Sequence, residues 1–453
     1  MRAGRLFFCD QAVLRTVLAG AGISNNEYLT LKLDKNIKMC YSNIRYYCAG
    51  IPYRPFHMKK TPPPFEQECL RVMDGAFTCE KMDGTSFDPS AGVFVMEKRI
   101  VWCDAARVTA IVMVVLVHCV ESVYKPDLAL SAGDFASAAS LLNRVTLFTI
   151  GRVGVPLFLM LTGYLLLPRN YETPGAISHF YRHNFLHLLI TTEIWTVLYI
   201  GYFAIDWKQF SWNASIRYLL FLEKVPLSHM WYMPLILSLY LSLPLVAIAL
   251  QRCRARYVAP VLLFALFTGF ILPTLNDTLQ CFGTSFPGSF QGVTDWNGGT
   301  YGLYLVLGYY LGRRNILGKV SKRALWWAAL GCLLLADVVQ AVSYPYGLLP
   351  YRITYTHPLV LALSIFVFEL FRRDAGTSSP KYAKSLEMLS RLSLGVFFVH
   401  NPVLIKLLPL ADWNSMSREL ALPLLLVVTL AISYGVSGLL YLFKPFRRWL
   451  LKA

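Results

Sequence analysis

The sequence predicts an all-α polytopic integral membrane protein, and three observations carry that reading. Of 453 residues, 56% are hydrophobic and only 15% charged, with a mean hydropathy of +0.47, which removes the chain from the soluble classes. Apolar stretches of bilayer length recur from Val101 onward. Lys and Arg concentrate in short loops between those stretches, on alternate sides of the implied membrane. The formal net charge of +17 therefore reads as topology. A nucleic-acid surface would need its basic side chains clustered on one solvated face.

Residues 1–95 differ from the rest and form an extension of unknown structure. They lack a long apolar run, contain Cys9, Cys40, Cys48, Cys69 and Cys79, and include the turn-rich KKTPPP. Arg2 and Arg5 precede an apolar segment in the manner of a secretory leader, but Asp10, Gln11 and Arg15 interrupt it. Met96 opens MEKRIVWCD, with basic residues just ahead of the first span, and is a second candidate translation start. The membrane domain is accordingly 96–453. The ten cysteines show no CxxC or zinc-like spacing, and Cys103, Cys119, Cys253 and Cys332 fall in or beside apolar helices, which predicts buried reduced thiols.

About ten spans follow from bilayer length, near 101–123, 148–167, 184–205, 231–250, 257–274, 299–313, 324–343, 354–371, 392–409 and 420–443. The 206–230 stretch is too polar to span and reads as re-entrant or interfacial. Pro156, Pro234, Pro244 and Pro402 predict kinks. One side collects Lys98, Arg99, Arg169, Arg182, Arg252, Arg254, Arg256, Arg313, Arg314, Arg372, Arg373, Lys444, Arg447, Arg448 and Lys452 among others. The opposite side holds only Lys125, Arg144, Lys208, Arg217, Lys224, Arg352, Lys406 and Arg418. That bias predicts both ends of the membrane domain in the cytoplasm.

The first span, VWCDAARVTAIVMVVLVHCVESVY, carries Asp104, Arg107, His118 and Glu121. Ionisable residues in a bilayer-length helix are costly and face a protein interior or a water-filled cavity. Arg107 and His118 share one helix face ~16 Å apart, with Arg107 toward the cytoplasmic end. His118 suits a general base, or else a histidine that packs one helix on another. Glu121, three residues on, either fixes the imidazole tautomer or is a solvated carboxylate at the helix end. Asp104 and Arg107 have the spacing of a local ion pair. Arg152 opens the second span from the outer side, where it stabilises an oxyanion, grips a sugar oxygen or snorkels to the interface. His229 and Trp231 begin a span from the same side, and His400 lies inside the ninth span at comparable depth to His118. His179, His183 and His187 align on one stripe, but at ~6 Å per step they cannot all reach one metal ion.

Several pieces together resemble a known family. They are Asp104-x-x-Arg107 with His118, Arg152-Val153-Gly154-Val155-Pro156-Leu157-Phe158-Leu159-Met160-Leu161-Thr162-Gly163-Tyr164, and His229-Met230-Trp231-Tyr232-Met233. Leu307-Gly308-Tyr309-Tyr310-Leu311-Gly312 and Ser393-Leu394-Gly395-Val396-Phe397-Phe398-Val399-His400 complete the set. In this order, over about residues 98–446, they resemble the membrane-bound acyltransferase 3 family, most of all its branch acting on enterobacterial common antigen. The resemblance implies transfer of an acyl group, usually acetyl from acetyl-CoA, to a hydroxyl of a cell-envelope saccharide in a bacterial inner membrane. It assigns His118 as the catalytic residue and Arg107 as an essential arginine, and it gives importance to Arg152 and to Thr162-Gly163-Tyr164. The Arg-x-x-Arg pair of some branches is missing beside Arg152. Acetyl-CoA then serves as substrate, with no permanently bound cofactor, no metal and no nucleic acid. A lipid-linked saccharide transporter and an acyltransferase using another thioester, such as succinyl-CoA, are the alternatives.

Overall fold

A computed structural model describes residues 85–88, 93–96, 100–124, 138–281, 297–342, 353–374, 380–410 and 416–452. The chain divides into two units, Met1–Arg99 and Ile100–Ala453. In the first, β1 (Thr85–Asp88) pairs antiparallel with β2 (Val93–Met96), a hairpin that the sequence reading did not anticipate. The leader-like segment and the five cysteines of this unit lie outside the described residues.

The described residues of the second unit are helical throughout their regular elements. The order is α1 (Val101–Tyr124), α2 (Ala138–Arg152), α3 (Gly154–Leu166), α4 (Pro174–Phe180), α5 (Leu186–Asp206), α6 (Trp212–Leu219), α7 (Tyr232–Arg252) and α8 (Ala255–Leu266). There follow α9 (Leu272–Cys281), α10 (Asn297–Tyr309), α11 (Lys322–Val342), α12 (Pro358–Arg373), α13 (Pro380–Leu407), α14 (Arg418–Leu442) and α15 (Lys444–Trp449). Among the described residues, eight helical stretches are long and apolar enough to cross a bilayer. The other two expected spans correspond to α10, extended by a π-turn to Arg314, and to the 16-residue α12.

α1 is the hub. Ala106, Ala110, Ile111, Val114, Val115, Val117, Cys119 and Val120 are all buried, because α2, α3, α12, α13 and α14 pack around it. A helix that is apolar on nearly every face suits that central position. Cys103 and Cys119 are buried thiols as expected, whereas Cys253 is exposed because it follows Arg252 at the end of α7.

Of the four prolines expected to bend helices, Pro156 coincides with an interruption. Pro156 lacks the N–H that would bond the Arg152 carbonyl, and the chain breaks there, at Val153 between α2 and α3. Pro234 falls in the first turn of α7, where that N–H is not required, and Pro244 and Pro402 sit inside uninterrupted helices. Further departures from α geometry occur as π-turns at Tyr181–Phe185, Phe267–Ile271 and Tyr310–Arg314.

Two glycines set the distance between α3 and α10. A Cβ at Gly163 would collide with the Leu305 carbonyl, and one at Gly308 would collide with the Met160 carbonyl. The backbones therefore meet directly, and each glycine admits the other helix. At the far end of α12, the fully buried Glu369 receives Arg372 at 2.7 and 2.8 Å and Arg373 at 2.7 Å. Arg373 also donates to the Leu317 and Val320 carbonyls and ties the α10–α11 turn to α12.

Candidate active site

The break after Arg152 puts that arginine at the last position of α2, facing the final turns of α1. Arg152 Nη2 donates to Glu121 Oε1 at 3.2 Å, and Glu121 Oε2 lies 3.2 Å from His118 Nδ1. Glu121 is thus no solvated bystander but the bridge between a guanidinium and an imidazole. A carboxylate at Nδ1 holds the proton there and leaves Nε2 as the basic nitrogen. The Arg152 guanidinium lies 4.5 Å from both the Phe148 and the Tyr355 ring centroids, an aromatic sandwich that fixes its plane. Its Nε is buried and has no hydrogen-bond partner.

Residues 220–226 stay largely exposed, but from Leu227 the chain turns inward, so Leu227, His229 and Met230 are buried against the helices. Ser228 Oγ lies 3.4 Å from His118 Nδ1 and receives Asn401 Nδ2 at 2.9 Å. The His400 ring sits 5.3 Å from the His118 ring and 4.9 Å from the His229 ring, so three imidazoles from three segments meet.

Two tautomers follow from their partners. His400 Nδ1 faces the Phe397 carbonyl at 2.6 Å and the Val396 carbonyl at 3.1 Å, so Nδ1 carries the hydrogen and Nε2 is a bare lone pair. Tyr199 Oη donates to the Phe398 carbonyl at 2.6 Å and so accepts from His229 Nε2 at 3.3 Å, which leaves His229 Nδ1 bare. Both bare nitrogens are buried and unpartnered. Beside this cluster, Trp231 packs at 5.4 Å from Tyr355 and 5.5 Å from Tyr301.

The structure therefore gathers His118, Glu121, Arg152, His229 and His400, with Trp231 against Arg152's aromatic partner. It keeps Arg107, Asp104 and Tyr164 apart from them. Arg107 Nη1 donates to Ser390 Oγ at 2.8 Å and lies 3.4 Å from the buried Asp104. Tyr164 packs edge-on against Trp102 at 4.9 Å and blocks any side chain at Gly312. Of the histidine stripe, His179 and His183 stack at 4.1 Å while His187 reaches the Arg448 carbonyl at 2.6 Å. Those three rings do not converge on one point. Sequence reasoning missed Ser228, Asn401, Tyr199, Tyr301 and Tyr355. The first two stand next to His229 and His400 in the chain, and that adjacency was the available signal.

A buried imidazole with its carboxylate and an adjoining guanidinium thus stand together inside a polytopic helical frame. Comparison with known proteins gives the class: residues 100–442 match the profile Acyl_transf_3, an acyltransferase domain. The chain belongs to that family of membrane acyltransferases. Neither the curated proteins nor the solved structures give a match.

Proposed function

We propose that the protein moves an acetyl group from cytoplasmic acetyl-CoA to a hydroxyl of a cell-envelope saccharide across a bacterial inner membrane. The observation that carries this reading is the Arg152–Glu121–His118 chain, which joins an oriented base to a cation with an unpartnered donor. His118 Nε2 takes the proton of the acceptor hydroxyl as its oxygen attacks the thioester carbonyl. The tetrahedral oxyanion is met by the Arg152 guanidinium, which is already held in place and needs no reorganisation. Collapse breaks the C–S bond, and the leaving thiolate takes the proton back from His118. No proton is gained or lost overall.

The Lys and Arg asymmetry supports an orientation with the Arg107 end of α1 in the cytoplasm and His118 toward the acceptor. Trp231, Tyr301 and Tyr355 supply flat apolar faces of the kind a sugar ring packs on. The resemblance of the motif set to the common-antigen branch supports a saccharide acceptor.

The test compares envelope glycans, by mass spectrometry, from cells with and without the gene. An acetyl-sized difference confined to one saccharide is the expected result. Identical spectra overturn the acceptor assignment, and a succinyl-sized difference overturns the donor assignment.

A further inference from the structure

The chain beyond α14 does not leave the bundle. Leu450 and Leu451 are buried, the Leu450 carbonyl accepts from Trp195 Nε1 at 3.0 Å, and the Arg448 carbonyl faces His187 Nε2 at 2.6 Å. Leu451 fills the space a side chain at Gly395 would need, five residues along α13 from Ser390, the partner of Arg107. The tail therefore re-enters the bundle to about the level of Arg107.

At that level it presents a cation. Lys452 Nζ donates to the Asn184 carbonyl at 3.0 Å and lies 5.6 Å from the centroid of the Tyr240 ring. Arg107 and Arg169 are both within electrostatic reach of the same tyrosine hydroxyl. Three cations from α1, the segment after α3 and the tail thus surround one side chain. Among the described residues, Asp104 is the one carboxylate that pairs with any of them. Burial and the Arg169 charge lower the Lys452 ammonium to about 8. A part-buried ammonium with only a carbonyl and a ring for company is costly, and a bound anion relieves that cost.

We propose that Arg169 and Lys452, around Tyr240, form a phosphate-binding site that takes the diphosphate of the coenzyme A donor. The inference rests on the donor class given under Proposed function. Phosphates held at the Arg107 level lie about 16 Å along α1 from His118, a length comparable to that of an extended pantetheine arm.

The test is binding of desulfo-coenzyme A, which has no thiol to titrate, to the full chain in phosphatidylcholine nanodiscs. Replacing the ammonium by K452Q removes a charge-assisted contact, and affinity is expected to fall roughly tenfold. K452R is expected to bind like the wild type. The wild type is expected to bind more weakly at pH 9 than at pH 7, because an ammonium titrating near 8 is charged below that pH and neutral above it. K452R, still charged at pH 9, is expected to lose that dependence; Arg107, Arg169 and Arg448 stay charged throughout, and the Tyr240 side chain and the His187 imidazole are the other titratable groups that face the ammonium. Wild type that binds while K452Q binds equally well overturns this site and leaves the donor assignment standing. Wild type that does not bind overturns the donor assignment as well. Anionic lipid co-purifying with wild type but not with K452Q, with unchanged coenzyme binding, assigns the phosphate to a lipid headgroup and overturns the donor role.

Discussion

The carboxylate of Glu121 is the point where the proposed base and the proposed oxyanion cation meet, so E121Q probes both with almost no change of shape. Its two oxygens lie 3.2 Å from His118 Nδ1 and 3.2 Å from Arg152 Nη2. The amide cannot serve both. With its NH2 toward Arg152, two donors face each other. With its NH2 toward His118, it donates into Nδ1 and moves the imidazole hydrogen to Nε2, where the base is needed. One charge-assisted hydrogen bond is lost in either case, worth about 1.5–3 kcal/mol, which is roughly a ten- to hundredfold fall in kcat. The donor KM is expected to stay unchanged, since the Arg107 end of α1 is untouched. The assay is thiol release from acetyl-CoA by purified protein in the presence of acceptor glycan, with melting temperature as the control for folding. An E121Q protein that turns over at the wild-type rate refutes the tautomer argument, and one that loses only donor affinity refutes the placement of Glu121 at the chemistry.

Three further outcomes follow from particular contacts. S228A removes a 3.4 Å neighbour of His118 Nδ1 and leaves Asn401 Nδ2 without its acceptor, so kcat should fall by a smaller factor than in E121Q, measured in the same assay. G308A drives a methyl group into the Met160 carbonyl, and the thermal midpoint should drop as for overpacking of about 1–3 kcal/mol, read by fluorescence-detected gel filtration. E369A removes the buried carboxylate shared by Arg372 and Arg373, which are partly exposed and keep Asn315 and the Leu317 and Val320 carbonyls as acceptors, so a cost of about 3 kcal/mol, the low end for a broken buried pair, should appear as lost folded protein in membranes rather than as altered kinetics of what remains.

Much of this was legible in the sequence because a bilayer punishes exceptions. His118 and Arg152 stood out against apolar surroundings, and charge bias together with length located every long helix. What stayed hidden is what depends on tertiary closeness. Nothing in periodicity says that the chain turns inward from Leu227 to bring Ser228 and His229 to His118, or that a helix break at Val153 turns Arg152 toward Glu121. The pairing of Gly163 with Leu305 and of Gly308 with Met160 was visible only as two separate glycine motifs. Tyr164 shows the opposite case: its neighbouring motif suggested a site, and its side chain packs against Trp102 and Phe368 far from the histidines.

The most direct measurement replaces His118 by Ala in protein that still melts at the wild-type temperature and binds desulfo-coenzyme A, then follows radiolabelled acetyl from acetyl-CoA into the acceptor glycan. Complete loss of transfer with donor binding retained is the predicted result. Transfer at an undiminished rate would contradict His118 as the base and, with it, the chemistry assigned to the Arg152–Glu121–His118 chain.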